Sequence, residues 1–158
     1  MYLLNDDIVA LATLPGKSAL NIVRLSGPTS LRIYKKLTKT KGVPRPNYVS
    51  LCFLYHPKKK QAIDQATLVY YKAPKSFTGE DSLEITIHGG VVIANRLIDA
   101  CLSFGVREAL PGEFSYRAFI NNKIDLLQAE GIASIVNSTN DLDSYYSLSA
   151  VRGNLSET

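Results

Sequence analysis

The sequence has few cysteines, no long apolar run and no acidic residue over residues 31–60. Its two cysteines, Cys52 and Cys101, do not form a C-x-x-C pair. This excludes a zinc knuckle, a thioredoxin-type centre and a disulfide framework, so both thiols are expected in the core. No window approaches the ~18 apolar residues of a membrane span, and residues 1–7 lack the features of a signal peptide. We therefore expect a cytoplasmic protein with no membrane segment.

Charge is unevenly distributed along the chain. Residues 31–60 contain nine basic residues and no acidic one, whereas the remainder contains nine basic and 14 acidic residues. Such a patch can neutralise nucleic-acid phosphates, and a solvated lysine-rich face is the alternative. The basic residues are Arg32, Lys35, Lys36, Lys39, Lys41, Arg45, Lys58, Lys59 and Lys60.

The first two thirds of the sequence predict an α+β domain. Composition is that of a globular protein, with 46% hydrophobic and 20% charged residues. Short β-branched runs predict strands at 8–13, 20–25, 48–55, 66–71 and 106–110. Alternating residues around Ile85 predict another strand, with Glu84 on its polar face. Helices are predicted from Pro28 and from Ile93, and the element order predicts a mixed sheet with two packed helices.

Beyond Pro111-Gly112 the pattern becomes helical. Asp125 and Gln128 have the spacing of a capping box, which predicts a helix that begins near Asp125. Ser138 or Thr139 is expected to cap a further helix, which meets no termination signal before Thr158. We therefore expect an N-terminal fragment whose last helices are completed by other residues.

Familiar catalytic and nucleotide-binding motifs are missing from the sequence. Gly16-Lys17-Ser18 has the ending of a Walker A motif, but Leu11 stands where its first glycine belongs and a strand is predicted in place of the helix. His56 and His88 lack partners at metal-ligand spacing, and no serine has a G-x-S-x-G context. We therefore predict no catalytic residue, no metal site and no GTP site in this chain.

Three segments, 13–27, 77–90 and 111–130, combine glycine, charge and aromatic residues at element boundaries. Within them, Arg24 follows an apolar run, Glu84 lies on a polar strand face and Lys123 precedes a helix. Ion pairs that tie loops to the sheet would account for these residues, and so would a ligand site. The residues alone leave both interpretations open.

These segments resemble the signatures of the MnmE (TrmE) family of tRNA-modification GTPases, over essentially the whole chain. The resemblance implies a folate-binding, dimerising domain over residues 1–117, similar in fold to the tetrahydrofolate domain of the glycine-cleavage T protein. It also implies that residues 118–158 begin an all-α domain. The matching motifs are Phe77-Thr78-Gly79-Glu80-Asp81, His88-Gly89-Gly90, Pro111-Gly112-Glu113-Phe114, Arg117-Ala118-Phe119 and the run from Lys123 to Glu130.

The resemblance further implies a chemistry and a set of partners. Arg24, Glu84 and Lys123 fall on the family's folate-contacting positions, so a formyl-tetrahydrofolate-type one-carbon donor is expected. The whole protein is expected to hydrolyse GTP with potassium and magnesium and to form a homodimer. It is also expected to act with the FAD-dependent partner MnmG (GidA) on C5 of the wobble uridine of tRNA. The family's Walker A and C-terminal Cys-x-Gly-Lys motifs do not occur in this sequence.

The chemistry of a folate is compatible with these three residues. A reduced pterin presents adjacent N–H donors that the Glu84 carboxylate can accept in bidentate fashion. The glutamate tail is anionic, so Arg24 or Lys123 can pair with it. Two other functions remain open, a non-enzymatic RNA-binding or assembly module that uses residues 31–60 and a stand-alone folate-dependent aminomethyl transferase.

One residue departs from the family pattern within a predicted helix. Gly131 stands where a better helix former is usual, at a cost of about 1 kcal/mol relative to alanine.

Overall fold

A computed structural model describes residues 5–59 and 61–152 of the chain. It divides into two compact units. The first contains Met1–Ser76 and Glu80–Pro111, and the second contains Phe77–Gly79 and Gly112–Thr158. The family-based domain boundary at residue 117 stays a prediction.

The first unit is a six-stranded mixed sheet with two helices, in the predicted element order. The sheet order is β3-β4-β5-β2-β1-β6. The β1–β6 pair is parallel and the other four pairs are antiparallel, so the predicted α+β class is confirmed. The elements are β1 (Ile8–Leu11), β2 (Leu20–Ser26), α1 (Ser30–Thr38), β3 (Val49–Tyr55), β4 (Ala62–Tyr71), β5 (Ser82–His88), α2 (Val91–Leu102) and β6 (Arg107–Glu108).

One hydrophobic core joins the sheet to both helices. Alternate strand residues such as Val23 and Ile85 form a single buried cluster with Leu37 of α1 and Leu97 of α2. Because side chains alternate across a strand, α1 and α2 cover the same face of the sheet. The opposite face carries the residues between them, including Glu84.

The two thiols differ in burial. Cys101 is fully buried, and its removal from water raises the pKa of its thiol to about 12. Cys52 lies on the outermost strand, β3, and packs against the core while remaining half-buried. The expectation of two core cysteines is therefore correct for Cys101 and only partly correct for Cys52, because an edge strand has a neighbour on one side alone.

Strand β4 begins at Ala62, earlier than the predicted residue 66. An irregularity in its pairing with β3 falls at Leu54 and Tyr55 and brings Ala62 opposite Tyr55. A bulge of this kind interrupts the alternation by which a strand is recognised in a sequence. The predicted hairpin between the two strands is present, and Lys60 of its tip lies outside the described residues.

Asp7 fixes the turn from β2 into α1. Its carboxylate accepts hydrogen bonds from the backbone N–H (2.8 Å) and the hydroxyl (2.6 Å) of Thr29, the residue that precedes α1. Gly27 has φ of +145° and passes so close that a Cβ there would lie 2.6 Å from the Asp7 Cα. Only glycine fits this turn, and α1 therefore leaves the sheet in one defined direction.

The second unit contains α3 (Glu113–Ile120), α4 (Leu126–Asn137) and α5 (Asp141–Val151). Helix α3 was not predicted. Its buried ion pair, Arg117 Nη2 to Glu113 Oε1 at 3.1 Å, stands at helical i,i+4 spacing, but buried charges interrupt the apolar pattern that marks a helix in a sequence. No helix within residues 5–59 and 61–152 is long and apolar enough to cross a membrane.

The predicted capping box of α4 is confirmed. Asp125 Oδ1 accepts from the Gln128 backbone N–H at 2.7 Å, and Gln128 Oε1 accepts from the Asp125 backbone N–H at 2.9 Å. The predicted cap of α5 at Ser138 or Thr139 is wrong, because Asn140 Oδ1 accepts from the Asp143 N–H at 2.9 Å and so caps this helix. The predicted continuation of α5 to Thr158 falls outside the described residues.

Gly131 permits close packing between α4 and α5. A Cβ at this position would lie 3.0 Å from the Ala150 Cβ and 3.1 Å from both the Ser147 carbonyl oxygen and a Val151 methyl group. These distances are shorter than ordinary van der Waals contacts. The residue that the sequence marks as a weak helix former is therefore where the two helices approach each other.

We predict that Gly131→Ala lowers the free energy of unfolding by about 1 kcal/mol, although alanine is the better helix former. The added methyl group meets three atoms of α5 at once, one of them backbone, so the whole helix must move. Ser134→Ala, at an exposed position of α4, serves as the control and is expected to raise stability slightly. Urea unfolding followed by circular dichroism measures both, and a stabilised Gly131→Ala variant contradicts the packing argument.

Candidate functional site

An arginine and a glutamate face each other on the side of the sheet opposite α1 and α2. The register of β2 against β5 places Arg24 directly opposite Glu84. Arg24 Nη2 and Nε donate to Glu84 Oε1 at 2.8 and 3.1 Å. Both side chains keep about a third of their surface exposed, 31% and 30%. The structure thus brings together two of the three predicted folate-contacting residues, as a cross-strand ion pair open to a ligand.

Tyr71 completes this group from the neighbouring strand β4. Its hydroxyl donates to Glu84 Oε2 at 3.4 Å. Burial, followed by the negative charge of Glu84, raises the pKa of Tyr71, so the phenol remains a hydrogen-bond donor at neutral pH. Tyr71 is not among the site residues predicted from the sequence. The usable signal was strand alternation, since Tyr71 lies two residues beyond Val69, which pairs with Glu84.

Two other acidic residues of the same signature segment, Glu80 and Asp81, accept hydrogen bonds from other residues of the chain. Glu80 Oε2 accepts from the Ser26 hydroxyl at 2.7 Å. Asp81 accepts from the Tyr70 hydroxyl at 2.7 Å and from the Ala73 N–H at 2.8 Å. These bonds hold the segment before β5 against the sheet. Glu84, in contrast, meets an arginine and a phenol on the open face.

Lys123 lies in the second unit, beside the start of that signature segment. The Asn121 side-chain amide donates to the Thr78 carbonyl oxygen at 2.7 Å. Gly79 has φ of +80°, and a Cβ there would lie 3.0 Å from Lys123 Cγ. The aliphatic part of Lys123 is therefore packed against residues of the Phe77–Gly79 segment, and two of the family signatures meet within one unit.

Gly89 packs directly against the backbone of the loop before β2. Its N–H donates to the Ala19 carbonyl oxygen at 2.9 Å, and a Cβ on it would lie 1.7 Å from the Ser18 carbonyl oxygen. This contact fixes the loop that contains Gly16-Lys17-Ser18 at the end of β5. The predicted strand after that loop is confirmed as β2.

Both histidines have local hydrogen-bond partners. His88 Nδ1 lies 2.8 Å from Asp64 Oδ1, and its backbone N–H donates to Asp64 Oδ2 at 2.8 Å. His56 Nδ1 accepts from the Lys58 N–H at 3.1 Å. Within the described ranges, no group of three histidine, cysteine or acidic residues could hold a metal ion.

Comparison with known proteins identifies the class. The family described as "GTP-binding protein TrmE N-terminus" matches residues 7–123, which include Arg24, Glu84 and Lys123. The chain thus contains the N-terminal domain of a class of GTP-binding proteins.

The relatives narrow this class to one family. Proteins named "tRNA modification GTPase MnmE" are 49% identical over 87% of this chain in a Nitratiruptor species, 42% over 98% in Aquifex aeolicus and 43% over 96% in Campylobacter curvus. These matches cover 30%, 34% and 34% of the relatives. The chain belongs to the MnmE (TrmE) family and spans about a third of the length of the curated relatives it matches.

We predict that Glu84→Gln changes the free energy of unfolding by less than about 1 kcal/mol, because a partly exposed ion pair contributes little to stability. Ile85→Ala, one residue along and facing the core, is expected to cost about 2–5 kcal/mol. Urea unfolding compares the two variants. If Glu84→Gln costs as much as Ile85→Ala, the Arg24–Glu84 pair is a structural element and not a ligand site.

Proposed function

We propose that this chain is the folate-binding and dimerising N-terminal domain of a tRNA-modification GTPase that acts on C5 of the wobble uridine. Membership of the MnmE family and the names of its relatives support this function. GTP hydrolysis with potassium and magnesium, the tRNA substrate and the MnmG (GidA) partner belong to the proposal for the whole protein. The proposal also includes a cytoplasmic location, because tRNA is found in the cytoplasm, and a fold shared with the glycine-cleavage T protein.

The Arg24–Glu84 pair is the observation that carries the folate proposal. A carboxylate accepts two parallel hydrogen bonds from a planar edge with adjacent N–H donors, and the pterin ring of a folate has such an edge. Glu84 presents its carboxylate on the open face of the sheet, fixed by Arg24 on one oxygen and Tyr71 on the other. We therefore assign Glu84 as the pterin anchor of a formyl-tetrahydrofolate-type donor.

The position of Arg24 indicates which end of the folate, the pterin ring or the glutamate tail, this basic residue would contact. Its guanidinium lies 2.8 Å from Glu84, so both side chains serve the same end of the ligand. Arg24 is accordingly assigned to the pterin end, where its planar guanidinium can also donate to a carbonyl or formyl oxygen. Lys123 belongs to the proposal through its family position, as a folate contact.

Strand β3 supports the proposed homodimer. It is one of the two edge strands of the sheet and carries no charged residue, although exposed edge strands are usually protected by charges or proline. Its outward residues Val49, Leu51 and Phe53 are 69%, 68% and 50% exposed. An antiparallel pairing of two β3 strands satisfies two-fold symmetry and covers this edge in both copies.

We predict that 5-formyltetrahydrofolate binds the chain and that Glu84→Gln weakens binding about ten- to hundredfold. Losing a charged hydrogen-bond partner typically costs about 1.5–3 kcal/mol. The matched control is Asp6→Asn, which breaks the similarly exposed Arg107–Asp6 pair (2.6 Å) and is expected to leave affinity unchanged. Isothermal titration calorimetry measures each. If the double variant Lys58→Ala/Lys59→Ala loses affinity while Glu84→Gln does not, the ligand binds the basic stretch instead.

We also predict that the chain self-associates reversibly and that Leu51→Glu raises the dimer dissociation constant at least about tenfold, since a charge on an apolar contact is costly to bury. Val92→Glu is the control, because Val92 is 67% exposed on α2, away from β3. Sedimentation equilibrium over a range of concentrations measures all three proteins. A wild-type chain that remains monomeric, or equal effects of both variants, contradicts dimerisation through β3.

A further inference from the structure

Helix α1 has two faces of opposite character. Ser30, Ile33, Tyr34 and Leu37 are buried. Three basic residues of the helix, Arg32, Lys35 and Lys36, stand two positions after Ser30, Ile33 and Tyr34, which on an α-helix is a rotation of about 200°. The core therefore fixes the orientation of α1 about its axis so that these three side chains point away from the sheet. Lys39 is the residue directly after the helix, with φ of +55°. We call these four residues the α1 basic face: Arg32, Lys35, Lys36 and Lys39.

The charge of the α1 basic face is not compensated. Of the basic residues between Arg32 and Lys59, all of which the structure describes, none forms an ion pair with a carboxylate. The interval from residue 31 to residue 59 contains no acidic side chain. An unbalanced cationic surface attracts polyanions and binds their phosphates with release of counterions.

Aromatic rings lie next to three of these cations. Lys36 Nζ lies 4.9 Å from the ring centroid of Phe104, and Lys39 Nζ lies 4.0 Å from that of Tyr55. In the loop before β3, the Arg45 guanidinium carbon lies 3.6 Å from the ring centroid of Tyr48, and the Tyr48 side chain is 52% exposed. Such a stacked pair is a platform for nucleic-acid bases. Binding of an acidic protein would require the cations but not the aromatic rings beside them, so the arrangement favours RNA as the partner.

A shallow, open depression lies along the first turns of α1. Pro28 and Leu31 supply apolar surface beside the cationic groups of Arg32, Lys35 and Lys36. A sugar with its phosphate presents the same combination of apolar and anionic surface.

We propose that this region binds RNA, with the α1 basic face on the sugar-phosphate backbone and the exposed ring of Tyr48 stacked against a base. The inference rests on the proposed function in taking tRNA as that RNA, and it names where the contact is made. The α1 basic face belongs to a helix on one side of the sheet, whereas Arg24 and Glu84 lie on the other side. The two sites can therefore be tested independently.

The test measures binding of a fluorescein-labelled, unmodified tRNA transcript by anisotropy at several KCl concentrations. The triple variant Arg32→Gln/Lys35→Gln/Lys36→Gln removes the charges and keeps good helix formers. We expect at least about tenfold weaker binding at ~100 mM KCl and a salt slope lower by about two to three. Tyr48→Leu is expected to weaken binding about five- to tenfold through lost stacking.

The control is Lys17→Gln/Lys72→Gln/Lys75→Gln, which removes the same charge from exposed loop positions of the same unit. Equal losses in the two triple variants mean nonspecific attraction and overturn the proposal. A competition experiment compares poly-glutamate with unlabelled tRNA at equal charge. If poly-glutamate displaces the labelled tRNA as effectively as unlabelled tRNA does, the surface binds an acidic protein, and this result also overturns the proposal.

Folate titration separates this inference from the proposed function. The α1 triple variant is expected to bind 5-formyltetrahydrofolate with wild-type affinity, which also shows that it is folded. A chain that binds folate but not tRNA overturns the RNA surface alone. A chain that binds tRNA through this surface but no folate overturns the folate function and leaves the RNA surface standing.

Discussion

The pairing of β2 with β5 is the constraint on which the first unit depends. These central strands set Val23 and Leu25 against the core and Arg24 against Glu84 on the other face. Side chains alternate with a period of two, so a slip of one residue by either strand would bury its charged residue and expose its core residues. Gly89 opposes such a slip, because its close approach to the Ser18 backbone fits a single register. Core and candidate site are thus fixed by the same set of backbone hydrogen bonds.

The acidic residues of the first unit divide into two kinds. Asp7, Glu80 and Asp81 accept hydrogen bonds from backbone groups and hydroxyls of the chain itself, and they hold turns and segment ends in place. Glu84 lies mid-strand, where no turn or helix end needs a carboxylate. Position in the fold therefore distinguishes Glu84 from these structural acids, whereas exposure does not, since Glu80 and Asp81 are also partly exposed.

Periodic features could be predicted from the sequence, and features that depend on a distant neighbour could not. The six strands, both helices of the first unit and the α4 capping box follow from local spacing, and so does the orientation of Glu84. The early start of β4 depends on a bulge against β3, and α3 carries a buried ion pair in place of an apolar stripe. Asn140 replaced the two predicted caps because cap geometry differs little among neighbouring polar residues. Tyr71 was missed because its role exists only once β4 lies beside β5.

The first strand is held by residues from widely separated parts of the chain. Asp7 binds Thr29, Asp6 binds Arg107, and β1 pairs with both β2 and β6. During synthesis β2 emerges soon after β1, whereas β6 emerges about a hundred residues later. Contacts of such high sequence separation form late, because the intervening loop must close first. The growing chain must therefore keep one edge of its first strand open until nearly all of the first unit has left the ribosome.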